Sequence, residues 1–189
     1  MKTAVIEKDK VGGTCLNRGC IPTKAIMHSS DIYRDANAGA AFGVDVTGLS
    51  ADLDRIIARK NQVVETLQNG ILSRFKKDKI TLLQGTAQVK DGHTVAFSPN
   101  EDGEESRDVT AKYIMVATGS HPFVPPIPGV DLPGVMTSDD LLDISGPVPE
   151  EMVIIGGGVI GIEFATFYAD LGCAVTVIES MDRLLPNMD

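Results

Sequence analysis

Two cysteines, Cys15 and Cys20, stand five residues apart in the segment Gly12-Gly13-Thr14-Cys15-Leu16-Asn17-Arg18-Gly19-Cys20-Ile21-Pro22-Thr23-Lys24. A thiol pair can hold two electrons as a dithiol and release them on closing to a disulfide. On a regular helix, five residues place the Cα atoms about 8 to 9 Å apart, whereas a disulfide needs them within about 7 Å. A bridge between these two therefore requires a tightened or broken first turn, for which Gly19 and Pro22 supply the local flexibility and the helix start. Such a bond is strained and reducible, which suits a catalytic couple better than a staple. Cys20, just before a helix N-terminus, also gains thiolate stabilisation. Zinc is disfavoured, because two thiols without a further Cys or His pair make an incomplete ligand set, and no metal is expected. Inert burial stays open as the alternative, and the neighbouring glycines, proline and lysine weigh against it. Cys173, in a turn before the last strand, reads as structural.

A second constellation is Gly156-Gly157-Gly158-Val159-Ile160-Gly161, with Glu179 eighteen residues after its last glycine. The spacing is weak alone, but here it follows a strand, opens a helix and has an acid at the end of the next strand. Gly156 allows the tight turn, Gly158 lets the backbone approach a pyrophosphate, and Gly161 lets the helix pack on the strand. The helix N-terminus faces the phosphates with unpaired N–H groups and a partial positive charge. Glu179 accepts hydrogen bonds from ribose hydroxyls and repels a 2′-phosphate, so NAD is favoured over NADP; Arg183 nearby weakens that preference slightly. A glycine-rich turn without a nucleotide is the alternative.

The elements that must carry these residues follow from hydropathy period and turn chemistry. Thr3–Ile6 reads as a strand ending in Glu7, then a turn at Val11–Thr14, then a helix with Pro22 in its first turn that fades over Ala36–Gly43. Apolar residues at intervals of three and four predict one long helix over Asp52–Lys77. Strands are predicted at Ile80–Leu83, Thr86–Val89 and Thr94–Phe97, with Asp91-Gly92 as a hairpin turn. An acidic solvated loop over Asn100–Asp108 leads to a strand at Val109–Ala117, ending on Thr118-Gly119-Ser120. Five prolines between Pro122 and Pro133 make an extended connector, and a short helix starts at Thr137 or Ser138. Met152–Ile155, a helix over Ile162–Leu171 and Ala174–Ile178 then outline a βαβ unit.

Composition bounds the possibilities. The chain has 189 residues, 43% hydrophobic and 23% charged, so it can bury a core and is neither disordered nor fibrous. With 17 basic and 26 acidic residues the net charge is −9, which repels phosphate backbones and anionic lipid. Nucleic acid and membrane are poor partners. The most apolar stretch, Val153–Ile178, is interrupted by Glu163 and Asp170 and does not read as a membrane span. Three cysteines and a start that does not read as a secretory signal point to a cytoplasmic protein.

The segment 12–24 resembles the redox-active signature of the flavin-dependent pyridine nucleotide-disulfide oxidoreductases, and Leu16 with Cys-Ile-Pro-Thr-Lys resembles most the branch that oxidises dihydrolipoamide. Ala117-Thr118-Gly119-Ser120 and Gln84-Gly85-Thr86-Ala87 are similar to that family's FAD contacts, and Gly156–Glu163 with Glu179 to its NAD motif. The resemblance implies that Cys15 exchanges with the dithiol substrate while Cys20 lies against the flavin. It implies that Lys24 and Glu163 form an ion pair near the flavin, and that Glu7, Gly12, Gly13, Thr14, Gly85, Thr118, Gly119 and Ser120 help to hold FAD. A homodimer, and association with a 2-oxo acid dehydrogenase complex, are implied in the same way. None of His28, His93 and His121 matches the family's general-base motif.

The fold class expected is α/β. Residues 1–121 read as a partial FAD-binding Rossmann-like domain with a small antiparallel sheet, 122–150 as a connector, and 151–189 as the first βαβ unit of an NAD-binding Rossmann domain. The resemblance implies a further strand and glycine loop before Glu7's strand, and further domains after Glu179. The chain is thus expected to be an internal piece of a longer enzyme that purifies without tightly bound flavin. An NADPH-dependent disulfide or mercuric reductase, disfavoured by Glu179, and a non-catalytic nucleotide-binding fragment are the alternatives.

Overall fold

The computed structural model describes residues 2–101, 103, 105–186 and 188. The chain divides into two compact units, Met1–Asn17 with Val64–His121, and Arg18–Val63 with Pro122–Asp189. Each is described by itself.

The first unit is built on a four-stranded sheet in the order β1 (Ala4–Glu7), β2 (Thr81–Val89), β3 (Thr94–Pro99), β4 (Arg107–Thr110). β1 pairs in parallel with the first half of β2, from Ala4 opposite Thr81 to Glu7 opposite Gln84. The second half of β2 pairs antiparallel with β3, from Gly85 opposite Pro99 to Val89 opposite Val95. One strand thus serves two ladders, where the sequence predicts two strands broken at Gly85. The glycine marks a close approach rather than a break. A Cβ there would run into the Ser98 carbonyl oxygen, and would lie 2.6 Å from Phe97 Cε2 and 2.8 Å from Pro99 Cα.

The turn after β2 is closed by Lys90 N–H donating to Thr94 O at 2.9 Å and His93 N–H donating to Asp91 Oδ1 at 2.7 Å. Phe97 is buried under the Arg107 guanidinium, 5.0 Å from the ring centre. In the acidic loop over 100–108, Asp102 and Glu104 lie outside the described residues, and β4 already begins at Arg107. β4 ends at Thr110, so the strand predicted over Val109–Ala117 forms only at its start. Its residues have strand character but no neighbour. Among the described residues, 111–117 join no ladder, and Met115 is 90% exposed. Strand propensity reflects packing on a neighbouring strand, and without one it forms nothing.

The long helix α3 (Leu53–Asp78) enters this unit from Val64 onward. It ends in a Schellman turn: Lys79 takes a positive φ of 56°, Lys79 N–H donates to Lys76 O, and Ile80 N–H donates to Phe75 O at 2.9 Å. The six-residue helix α1 (Gly13–Arg18) precedes α2 (Cys20–Asn37), with Gly19 between them in non-helical backbone. The sequence predicts a turn and then a single helix, so the short helix carrying Cys15 is an addition.

In the second unit α2 packs on α5 (Val159–Asp170), which connects the parallel strands β5 (Glu151–Ile155) and β6 (Ala174–Ile178). The core joins Ile26 of α2, Leu53 and Ile57 of α3, Leu142, and Phe164, Phe167, Tyr168, Leu171 and Cys173. Phe167 and Tyr168 meet edge to face at 4.9 Å, a favoured aromatic geometry. α4 (Ser138–Leu141) starts at Thr137, where a capping box joins Thr137 and Asp140. Asp54 accepts from Gly146 N–H at 2.9 Å, and the buried Lys60 donates to Asp143 at 2.8 Å. These two contacts tie the 143–146 stretch to α3. Among the described residues, no helix is long and apolar enough to cross a membrane, and no group of three or more His, Cys, Asp or Glu is set to hold a metal ion.

Candidate functional site

The cysteine loop begins in the first unit. Gly12 and Gly13 take φ values of +116° and +67°, which L side chains rarely adopt. They turn the chain from Val11, which is buried, into α1, where Cys15 is exposed. Thr14 Oγ accepts from Ser120 N–H at 3.0 Å and lies 3.4 Å from Ser120 O, so the chain closes here over 106 residues. Gly119 is positive in φ at 71°, and a Cβ on it would stand 2.7 Å from Thr14 Oγ. Thr14, Gly119 and Ser120 are therefore one structural feature, with Thr118 beside them.

Glu7, at the end of β1, accepts the Asp9 N–H at 2.9 Å, and Gly85 serves the β2–β3 approach described above. Sequence reasoning missed Asn17. Its Nδ2 donates toward the carbonyls of Lys10 (3.3 Å), Val11 (3.1 Å) and Gly13 (2.9 Å), and its Oδ1 accepts from Gln68 Nε2 at 2.6 Å. The only signal available was an amide residue close to two glycines; Gln68 carried none.

Cys20 is the first residue of the eighteen-residue helix α2. Its N-cap, Gly19, brings no side chain to the end of the helix, and Thr23 Oγ donates back to Gly19 O at 2.7 Å. All three cysteines are thiols, with Cys20 exposed and Cys173 buried. One turn beyond Cys20, Lys24 forms an ion pair with Glu163 of α5. The packing of α2 on α5 sets this contact. Farther along the same two helices Arg34 Nη1 meets Asp170 Oδ2 at 3.1 Å, and Arg59 of α3 donates to Ala25 O at 3.0 Å.

The glycine loop joins β5 to α5. Gly156, at φ +114°, donates to Ile178 O at 2.8 Å. A Cβ on Gly161 would strike Gly156 O and lie 3.3 Å from Ile154 Cγ2, so this glycine seats the helix on the strand. Gly158, the N-cap of α5, has nothing within 4 Å of the position a Cβ would take. The N–H groups of the first turn of α5 lack helical acceptors. An open glycine at an uncapped helix start fits the pyrophosphate of a dinucleotide.

Glu179 closes the loop from the other side. Its carboxylate accepts from Gly157 N–H at 2.6 Å, Met181 N–H at 2.8 Å and Ser180 Oγ at 3.2 Å. The Met181 and Gly157 N–H bonds hold it below the usual carboxylate range. The following segment folds back onto the loop, with Leu185 N–H donating to Gly157 O at 2.9 Å. Arg183 donates to Pro186 O at 2.6 Å. Of the histidines, His28 and His121 are exposed and His93 Nδ1 lies 3.1 Å from Ala111 O.

Comparison with known proteins places this geometry. The chain matches, over residues 1–189, the family described as pyridine nucleotide-disulphide oxidoreductase. A dihydrolipoyl dehydrogenase of Bacillus subtilis is 42% identical over 199 residues, covering 100% of this chain and 41% of the relative. One of Acholeplasma laidlawii is 40% identical over 193 residues, covering 100% of this chain and 55% of the relative. Among solved structures, the HOCl-induced flavoprotein disulfide reductase RclA from Escherichia coli superposes with a TM-score of 0.81 at 33% identity, over 100% of this chain and 39% of that one. The chain thus spans between about two fifths and just over half the length of these proteins. With every residue inside the family match, the chain belongs to the pyridine nucleotide-disulphide oxidoreductase family.

Proposed function

We propose that the chain carries the thiol and nucleotide-binding portions of a dihydrolipoyl dehydrogenase, which oxidises dihydrolipoamide with NAD through a cysteine couple and FAD. The observation that carries this reading is Cys20 opening α2 behind a glycine cap, with the Lys24–Glu163 pair one turn on. An uncapped helix N-terminus favours a thiolate.

In the reading proposed, the oxidised form of the couple is a Cys15–Cys20 disulfide, the structure showing the reduced thiols. One thiolate of the substrate attacks Cys15 Sγ, the Cys15–Cys20 bond breaks, and Cys20 leaves as a thiolate. The second substrate thiolate then attacks the substrate sulfur of the mixed disulfide and releases Cys15. The substrate is now a cyclic disulfide, its two protons have gone to solvent, and two electrons rest on the cysteine pair. FAD, when bound, supplies the route for that electron pair to NAD. Glu7, Gly12, Gly13, Thr14, Gly85, Thr118, Gly119 and Ser120 are the residues assigned to hold the flavin nucleotide. The Lys24–Glu163 ion pair is assigned to the flavin by the family resemblance. Gly156, Gly158 and Gly161 with the α5 N-terminus would hold the NAD pyrophosphate, and Glu179 would take the ribose hydroxyls and exclude a 2′-phosphate.

A reducing, cytoplasmic setting suits exposed reactive thiols, and the longer parent enzyme is assigned as a homodimer working with a 2-oxo acid dehydrogenase complex. The test is chemical trapping. Oxidised lipoamide offered to the Cys20→Ser variant should leave a lipoyl mixed disulfide on Cys15, found by peptide mass spectrometry. Trapping in the Cys15→Ser variant and none in Cys20→Ser would reverse the assigned roles, and trapping in neither would overturn the reading.

A further inference from the structure

We infer that Asn17 and Gln68 act together as a positioning pair that fixes the thiol of Cys15 for disulfide exchange; this rests on the reading of Cys15 as the exchanging thiol. The helix that carries Cys15 has only six residues. A helix this short pays the cost of nucleation with few bonds to recover it, so its place depends on side-chain pins. One pin, Thr14, binds Ser120 on one side of Cys15. The other, Asn17, lies two residues beyond Cys15 and gathers the carbonyls of Lys10, Val11 and Gly13, the loop that contains both left-handed glycines.

An amide has two N–H donors and one carbonyl, and its orientation here is dictated from both ends. Turned over, it would face the three carbonyl oxygens with its own oxygen. It would also lose the hydrogen bond that Gln68 donates to Oδ1 at 2.6 Å. Gln68 is half-buried on α3, a 26-residue helix, so the pair connects the cysteine loop to the part of α3 that lies in the same unit. Exchange between a thiolate and a disulfide needs in-line approach of three sulfurs, and small misplacement is costly in such reactions. Alkylation by a small reagent lacks that demand.

The experiment therefore compares two rates in the Cys20→Ser background: formation of the mixed disulfide with oxidised lipoamide, and alkylation of Cys15 by iodoacetamide across pH. Asn17→Ala and Gln68→Ala are made singly and together; the second leaves the loop's own residues intact and places a good helix former on α3. Each single variant should slow exchange by about tenfold or more, with the alkylation profile unchanged, and the double variant should be no slower than Asn17→Ala. Unchanged exchange overturns the inference, as does a parallel fall in both rates, which marks a merely structural role. Losses that multiply in the double variant overturn the coupling of Gln68 through Asn17. If the parent background does not exchange at all while Cys15 still alkylates, the functional reading fails first and the inference with it.

Discussion

The carboxylate of Glu179 accepts the N–H of Gly157 at 2.6 Å, so the acid at the end of β6 is bonded to the glycine loop at the end of β5. The side chain expected to bind a ribose is thereby held by the turn that would receive the pyrophosphate. This contact links the two parts of the proposed binding surface. The N–H of Met181 adds a second restraint at 2.8 Å.

Replacing Glu179 should change which dinucleotide is preferred. The parent chain should bind NAD more tightly than NADP, and Glu179→Gln should weaken NAD by about tenfold, the scale of a charge-assisted hydrogen bond. NADP should gain as the repulsion is lost. Titration calorimetry with both nucleotides reads this directly, and tighter NADP binding by the parent chain would contradict the role of Glu179. The pH sign also follows. Because the Met181 and Gly157 N–H bonds depress the folded pKa, the carboxylate's contribution is present above its unfolded value. It is lost as pH falls through the depressed one, and a carbon-13 titration of Glu179 should show a midpoint below that of an ordinary glutamate.

Two glycines of the same loop should respond in opposite ways. Gly161→Ala puts a methyl onto the Gly156 carbonyl, an overpacking that costs about 1 to 3 kcal/mol. Thermal melts should show a drop of several degrees. Gly158→Ala meets open space and an extended backbone at ψ 178°, so its cost as an N-cap change stays under about 1 kcal/mol. NAD affinity should nevertheless fall sharply, because the methyl would stand at the position assigned to the pyrophosphate. Equal effects of both changes on stability would refute the division of labour.

These glycines show which features were legible in the sequence. The βαβ unit was readable because its signals are local: β6 spans Ala174–Ile178 as predicted, and the short helix α4 starts at Ser138, one of the two starts predicted. The division of β2 into two strands around Gly85 was misread because the reason for that glycine lies across the ladder at Ser98, Phe97 and Pro99. The run 111–117 was misread because strand character says nothing about whether a neighbouring strand is present to complete it. Asn17 and Gln68, 51 residues apart, meet through packing that no spacing encodes. The Lys24–Glu163 pair, 139 residues apart, followed from family resemblance alone and not from any pattern of charge.

That ion pair should contribute little to stability. The Lys24 side chain is 62% exposed, and exposed pairs are worth about 0.2 to 1 kcal/mol after screening and side-chain entropy. A double-mutant cycle of Lys24→Met and Glu163→Gln in urea should give a coupling energy inside that range, shrinking with added salt. A coupling well above it would mean that the pair is a structural strut, and would weaken its assignment as a group kept for the flavin.

Tyr168 should be better off without its hydroxyl. The side chain is fully buried in the core beside Cys173, and among the described residues its oxygen has no hydrogen-bond partner. A buried unpaired hydroxyl costs about 1 to 3 kcal/mol, so Tyr168→Phe, which keeps the edge-to-face contact with Phe167, should stabilise the chain. For a protein of this size a gain of about 1 kcal/mol raises the melting temperature by about 2 to 4 °C. Burial, with a smaller push from Cys173, moves the phenol pKa up to about 12. Because the folded value is raised, stability is fully present below the unfolded value and falls as pH climbs toward the folded one. Tyr168→Phe should therefore also flatten the alkaline arm of a stability–pH curve. A variant that melts lower than the parent, with the alkaline slope retained, would show that the hydroxyl is bonded and structural.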